Sequence, residues 1–149
     1  MLVHLLIGLA MLLLCLMLQS VFVTTCLRWY ARFRIEHSRG STRLQDFGLL
    51  SITMMLMMLG NLTQIGMWAA LFMLIGEFDS FITAFYHSGV NYAGLGYGDI
   101  VMSEDWRLFG PLEAANGVIM FGLSTAVMTA AVMDVIKYSK ARLLGSTES

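Results

Sequence analysis

Three glycines alternate with larger residues in the run Gly94-Leu95-Gly96-Tyr97-Gly98, and Asp99 follows at once. Glycine adopts backbone angles that other residues avoid, so this alternation lets successive peptide carbonyls turn toward one side. Rings of carbonyl oxygens can replace the water that surrounds a cation. The run is therefore a candidate cation site built from backbone oxygens, with Tyr97 bracing it from behind and Asp99 concentrating cations at its mouth.

The glycine run alone is weak evidence for a cation site, and the segments around it strengthen that interpretation. A dinucleotide-binding loop would need a different glycine spacing, after a strand and before a helix. Asp79 and Ser80 suit a helix N-cap, and residues 81–92 are largely apolar and suit a helix, but are too few to cross a membrane. Irregular backbone at membrane depth is tolerated only inside protein or beside water. We therefore predict a re-entrant pore helix over 79–92, with its partly negative C-terminal end toward the cation, and a loop over 93–99.

Long apolar stretches must position this loop. Residues 1–27, 47–76 and 114–133 contain no Asp, Glu, Lys or Arg, and each is long enough for a helix that crosses about 30 Å of hydrocarbon. The fold class is therefore all-α integral membrane, with three transmembrane helices and one re-entrant helix. The short connections leave no room for a soluble catalytic domain, and no carboxylate pair or serine dyad lies at membrane depth. We predict no enzyme activity and no cofactor.

The predicted boundaries follow from these stretches. The chain divides into an N-terminal transmembrane helix (1–32), a cytoplasmic basic loop (33–46), a pore module (47–138) and a cytoplasmic tail (139–149). The pore module contains an outer helix (47–76), the pore helix (79–92), the filter loop (93–99) and an inner helix (111–138). Residues 38–42 form the expected turn of the basic loop, and Pro111 suits the first turn of the inner helix.

Charge predicts the orientation. Five arginines lie between residues 28 and 43, and more basic residues follow position 136, whereas residues 77–113 carry six acids and one base. Because basic loops remain cytoplasmic, the chain is expected to be a multi-pass protein of the cell membrane with its N-terminus outside and its C-terminus in the cytoplasm. Holding this loop in the cytoplasm is a sufficient role for the arginines, so membrane lipid is an expected partner and nucleic acid is not.

These features together resemble a known family. The re-entrant helix, Gly96-Tyr97-Gly98-Asp99 and a following glycine-containing helix are similar to the pore module of the two-transmembrane potassium channels, and to short bacterial two-pore-domain-like channels, although this chain has one pore loop. The resemblance covers about residues 49–136, and the N-terminal helix is extra to it. It implies a homotetramer around a central pore that conducts K⁺ and other monovalent cations passively.

The resemblance also implies residue roles in the selectivity filter. K⁺ would be held by carbonyls of Gly94, Leu95, Gly96 and Tyr97, with Gly98 completing the filter. Tyr86 and His87 lie where the family places side chains that buttress the filter tyrosine. We expect one of them to hydrogen-bond the Tyr97 hydroxyl of its own or a neighbouring subunit.

One departure bears on selectivity. The family usually has threonine where Gly94 stands, and its hydroxyl lines the innermost ion site. That hydroxyl is absent here, so the preference for K⁺ over Na⁺ is expected to change if Gly94 is replaced by threonine. The alternatives are therefore a K⁺-selective channel, a weakly selective monovalent cation channel, and a non-conducting membrane subunit that regulates a partner.

Polar residues in the long helices are the remaining candidates. Four residues of the inner helix could line an inner cavity or gate: Ser124, Thr125, Met128 and Thr129. Gly117 and Gly122 could form a hinge or allow close helix packing. Asn61 and Gln64 share a face and are expected to bond to a neighbouring helix. Asp134 could attract cations or pair with Lys137 or an arginine of residues 28–43.

Overall fold

The computed structural model describes residues 2–36 and 42–145, with side chains described through Lys140. Across these ranges the chain forms four helices and no strand. The helices are α1 (Leu2–Glu36), α2 (Arg43–Leu74), α3 (Phe81–Tyr92) and α4 (Phe109–Gly145). Helices α1, α2 and α4 are long and apolar enough to cross a membrane, and α3 has 12 residues.

Both helices beside the predicted basic loop extend into it. Helix α1 continues past residue 32 to Glu36, and α2 begins at Arg43 rather than at residue 47. The start of α2 is fixed by a capping box: the Thr42 hydroxyl accepts from the Gln45 amide, and the Gln45 side chain accepts from the Thr42 amide. Of the turn predicted over 38–42, residues 38–41 lie outside the described ranges.

Glycine fixes the end of α2, which stops at Leu74 rather than at residue 76. Gly76 has φ +80° and lies just after the C-cap Ile75. The amides of Gly76 and Glu77 bond back to the carbonyls of Met73 and Phe72, a Schellman motif that glycine favours. Helix α4 begins two positions before Pro111 and continues to Gly145, so residues 139–145 of the predicted tail are helical.

The three long helices pack side by side, and α3 packs against two of them. Helix α1, whose position the sequence leaves open, contacts α2 and α4 of its own chain, and α3 contacts α2 and α4. The larger core cluster takes residues from all four helices and the segment after the glycines: Met11, Cys15, Trp68, Phe72, Tyr92, Met102, Phe109 and Met120. This core holds α3 and both ends of its loop against the long helices.

Helices α3 and α4 approach each other most closely at Gly117. A Cβ added there would collide with the carbonyl of Tyr92, the last residue of α3, whereas one added at Gly122 would meet nothing within 4 Å. Close packing is therefore confirmed as a role of Gly117. It sets the depth at which α3 ends and the glycine run begins.

Candidate cation site

Helix α3 ends in a second Schellman motif, and Gly94 is its left-handed residue. Gly94 has φ +70°, and the amides of Gly94 and Leu95 bond back to the carbonyls of Asn91 and Val90 at 2.8 and 2.9 Å. A β-branched residue is a strong outlier at such a φ. Gly94 therefore stops the helix and turns the chain toward Gly96, a role that threonine would fill poorly in this conformation.

The glycine segment, residues 94–98, repeats this left-handed geometry at every second position. Gly96 and Gly98 have φ +55° and +71°, so non-glycine residues with ordinary angles alternate with left-handed glycines. Within the described chain, no hydrogen bond joins Gly96, Tyr97 or Gly98 to another residue. Their peptide groups are therefore available to groups from outside this chain.

The two large side chains of the segment border an open apolar groove. Leu95 and Tyr97 are 55% and 64% exposed. They border this groove, of about 510 Å³, together with residues of α3: Phe81, Ile82, Phe85, Tyr86, Gly89 and Val90. The single chain thus leaves the Tyr97 ring without the bracing expected for it.

Asp99 is held at the end of the glycine segment by Tyr86. The Tyr86 hydroxyl donates to Asp99 Oδ2 at 2.7 Å, and Asp99 Oδ1 accepts from the Ile100 amide at 3.0 Å. The bond from Tyr86 lowers the pKa of Asp99, and the same bond raises the pKa of Tyr86. The carboxylate is therefore charged and fixed in direction.

His87 supports the chain just after Asp99. Its Nδ1 lies 2.9 Å from the Ile100 carbonyl, and its Nε2 lies 2.9 Å from the Asn91 side-chain amide. Nδ1 must donate to a carbonyl and Nε2 can then accept from the amide, so both contacts fit one neutral tautomer. Burial lowers the pKa of His87, which agrees with a neutral ring.

These contacts differ from the expected buttress of Tyr97. Among the described residues, neither Tyr86 nor His87 hydrogen-bonds the Tyr97 hydroxyl: Tyr86 bonds Asp99, and His87 bonds the backbone after it. The expectation therefore stays open only for a neighbouring subunit. Both residues contact the end of the loop, at Asp99 and Ile100, and spacing in the sequence could not identify these partners.

Glu77 anchors the far end of the loop, a role that sequence reasoning missed. Its two carboxylate oxygens accept from the Ser103 amide and hydroxyl at 2.7 and 2.6 Å. This bond ties the chain after the glycine segment to the end of α2. The six acids of the outer connection look alike in sequence, so charge counting could not separate Glu77 from the others.

A buried polar cluster lies behind the end of α3. The Tyr92 hydroxyl lies 3.2 Å from Gln64 Oε1 and 3.4 Å from Asn61 Oδ1, and Asn116 Nδ2 donates to Gln64 Oε1 at 3.3 Å. Gln64 Nε2 donates to Gln19 Oε1 at 2.8 Å. The inter-helix bonding expected of Asn61 and Gln64 is confirmed, and the cluster joins all four helices.

Ser124 belongs to this cluster more than to an open cavity. Gln19 Nε2 and Asn61 Nδ2 each lie 3.4 Å from its hydroxyl oxygen, and Ser124 is 9% exposed. Thr125 and Thr129 are exposed, and Met128 is partly buried. All four residues border one shallow groove of α4. The Ser124 hydroxyl therefore faces its own chain, and the inner cavity or gate expected from the four residues stays a prediction.

At the other end of the long helices, Asp134 forms the ion pair predicted for it. Arg34 Nε and Nη1 lie 2.9 Å from carboxylate oxygens of Asp134 and Asp46. Tyr30 donates to Asp134 at 2.7 Å. The pairing of Asp134 with an arginine of residues 28–43 is confirmed, and it joins α1, α2 and α4.

A protein-family model described as an ion channel matches residues 62–134. The matched range includes the later part of α2, all of α3, the glycine segment and most of α4. It leaves α1 outside. No curated protein and no solved structure gives a significant match to the chain. The match supports an ion channel family and points to a channel rather than an enzyme. With three apolar helices, it also supports a multi-pass membrane protein.

Proposed function

We propose that this chain is one subunit of a homotetrameric channel that conducts K⁺ passively through stacked sites of backbone carbonyl oxygens. The glycine segment is its selectivity filter, α3 is a re-entrant pore helix, and α2 and α4 are the outer and inner helices. The observation that carries the proposal is the positive φ at Gly94, Gly96 and Gly98. This alternation is what a backbone needs to present successive carbonyls to one side.

Two further features support the proposal. The peptide groups of Gly96, Tyr97 and Gly98 lack partners within the described chain, and buried or pore-lining backbone groups require partners. In a symmetric tetramer, neighbouring subunits supply partners on the outer side of the segment, and a dehydrated cation supplies a partner for the carbonyls on the side that faces the axis. The fixed carboxylate of Asp99 then lies at the filter mouth. In this arrangement the N-terminus is outside and the C-terminus is in the cytoplasm.

The second candidate is a weakly selective K⁺/Na⁺ channel of the same fold, and Gly94 favours it. Because the left-handed Gly94 ends α3, the innermost site has a carbonyl but no hydroxyl. Carbonyl-only coordination holds K⁺, while the lack of a hydroxyl ring removes one set of ligands that could discriminate against Na⁺.

Flux into liposomes separates these candidates. Purified protein is reconstituted into vesicles loaded with KCl, and ion movement is followed with K⁺ or Na⁺ outside. The proposal expects K⁺ flux well above Na⁺ flux. Equal fluxes would favour the weakly selective channel, and no flux from a folded tetramer would favour a regulatory subunit.

Substitution at Gly94 tests the hydroxyl. Threonine would add a hydroxyl and strain the backbone at the same time, since a β-branched residue resists a positive φ. Gly94→Ser and Gly94→Ala form a better matched pair, because both carry a Cβ at φ +70° and differ in one hydroxyl. We expect a higher K⁺/Na⁺ flux ratio in the serine variant. Equal ratios in the pair would show that the missing hydroxyl does not set selectivity.

A further inference from the structure

Glu113 is a completely buried acid in the middle of the helix packing. It lies in the first turns of α4, is 0% exposed, and contacts the hydroxyl of Ser88 on α3. The same hydroxyl lies 2.9 Å from the Ile65 carbonyl of α2. One serine oxygen therefore joins three helices, on the short helix that leads into the glycine segment.

Counting protons assigns the state of Glu113. A serine hydroxyl carries one proton. The Ile65 carbonyl can only accept, so a bond to it uses the Ser88 proton. If Glu113 were ionised it could only accept as well, and the one Ser88 proton could serve Ile65 or Glu113 but not both, so one of the two oxygen–oxygen contacts would lack a proton. A proton on Glu113 removes this conflict: Glu113 donates to Ser88, and Ser88 donates to Ile65.

The other carboxyl oxygen leads to the same assignment. Glu113 Oε2 is buried and has no partner at ordinary hydrogen-bond distance among the described residues, although the Asn91 side-chain amide lies near the carboxyl group. An ionised carboxylate with an unpaired buried oxygen is very costly, whereas the carbonyl oxygen of a neutral acid costs much less. No ion pair of the described chain includes Glu113; these pairs join Arg34 to Asp46 and Asp134, and Arg107 to Glu104.

The surroundings offer no positive charge to Glu113. The titratable side chains that interact with Glu113 include Cys15 of α1 and Tyr92 of α3, neither of them cationic. His87 of α3 is held neutral by its contacts with Ile100 and Asn91. Helix α2 has charged side chains only at Arg43 and Asp46, near its opposite end.

We propose that Glu113 is a protonated, neutral positioning residue, which holds α3 at the depth that the glycine segment requires by donating through Ser88 to α2. Gly117 lies one turn further along α4 and contacts the Tyr92 carbonyl, so one face of α4 fixes α3 at two points. The proposal depends on the proposed channel function only for its flux measurement.

Infrared difference spectroscopy tests the proton directly. Spectra of liposome-embedded protein at neutral pH are compared between wild type and Glu113→Gln. We expect the variant to lose a carboxylic-acid C=O band. The control is Glu104→Gln, at a side chain that is 89% exposed, which should lose ionised-carboxylate bands instead. Carboxylate bands lost in Glu113→Gln would overturn the proposal, whether or not the protein conducts.

A second variant protects this test against misfolding. Ser88→Ala leaves the acid in place and removes its acceptor, so the acid band should move to higher wavenumber. An unmoved or absent band in a folded Ser88→Ala protein would contradict the assigned bond.

Flux then tests the positioning role. Glutamine keeps a donor and a carbonyl of similar shape, so Glu113→Gln should keep K⁺ flux within about threefold of wild type, while Glu113→Ala leaves Ser88 without its donor and should lower flux at least about tenfold. Equal losses in both variants would contradict the positioning role. Absence of flux in wild type would refute the channel and leave the spectra to decide the proton.

Discussion

The buried polar cluster behind Tyr92 and the glycine segment that follows Tyr92 differ in where their polar groups find hydrogen-bond partners. Behind it, amide, hydroxyl and carboxyl groups of all four helices bond to one another and are almost completely buried. Ahead of it, residues 94–98 are exposed, and the peptide groups of Gly96, Tyr97 and Gly98 bond to no other described residue.

This difference separates what one chain completes from what it leaves to others. The hydrogen bonds of the buried cluster all lie within one chain, so a single subunit can fix the position of α3. The glycine segment has a defined backbone shape but no ligands, and so requires cations, water or neighbouring copies. Substitutions behind Tyr92 should therefore act on stability and on the position of α3, and through it on conduction, whereas those ahead of it should act on conduction directly.

The largest expected effect is on the glycine segment. Gly96→Ala places a Cβ at φ +55°, which costs about 1–2 kcal/mol in each subunit. Summed over a tetramer, this should lower K⁺ flux by well over tenfold while the protein still assembles. Liposome flux and size-exclusion chromatography measure the two effects. The control is Gly48→Ala, at a helical glycine with open space around it; equal flux in both variants would contradict the role of the left-handed backbone.

The next effect lies behind Tyr92. Gly117→Ala drives a Cβ into the Tyr92 carbonyl, a backbone atom that cannot easily yield, so the loss of stability should reach the upper end of the about 1–3 kcal/mol typical of overpacking. Thermal unfolding in detergent measures it, with Gly122→Ala as the control because that site is open. If both variants melt alike, the close approach of α3 and α4 is wrong.

A smaller effect is expected at the opposite end of the helices. Arg34→Met removes both ion pairs of Arg34, with Asp46 and Asp134. The site is between a surface pair and a buried one, so the cost should be about 1–2 kcal/mol of unfolding free energy. Arg32→Met, at an exposed position of the same helix, is the control. An unchanged melting temperature for Arg34→Met would show that the pairs contribute nothing.

The smallest effect is a shift in pH dependence. The Tyr86 hydroxyl favours the charged form of Asp99 and lowers its pKa, so in wild type Asp99 keeps its charge to a lower pH than it would without this bond. Tyr86→Phe removes the donor and should raise the pKa, so acid inhibition of flux begins at higher pH. Asp99→Asn should lack this acid dependence. Identical pH profiles for wild type and Tyr86→Phe would refute the assigned bond.

Sequence alone predicted the helical architecture, because each long helix contains an uncharged stretch long enough to span a membrane and the short helix is too brief to span. It also singled out the glycine segment from the spacing of its glycines. It missed Glu113, since charge counting grouped this acid with the outer connection and could not register its depth. The available signal was its face of α4, shared with Asn116, Gly117 and Met120 at helical spacing. The partners of Tyr86 and His87 depend on the path by which residues 99–100 return to α3, and the spacing of residues in the sequence does not encode that path.

An experimental density map of the protein in KCl tests the central claim most directly. The account predicts four chains around one axis, with ion density on that axis between the carbonyl oxygens of residues 94–97. A map in which the segment faces lipid or bulk solvent, or in which an ordered axis carries no ion density beside those oxygens, would contradict it.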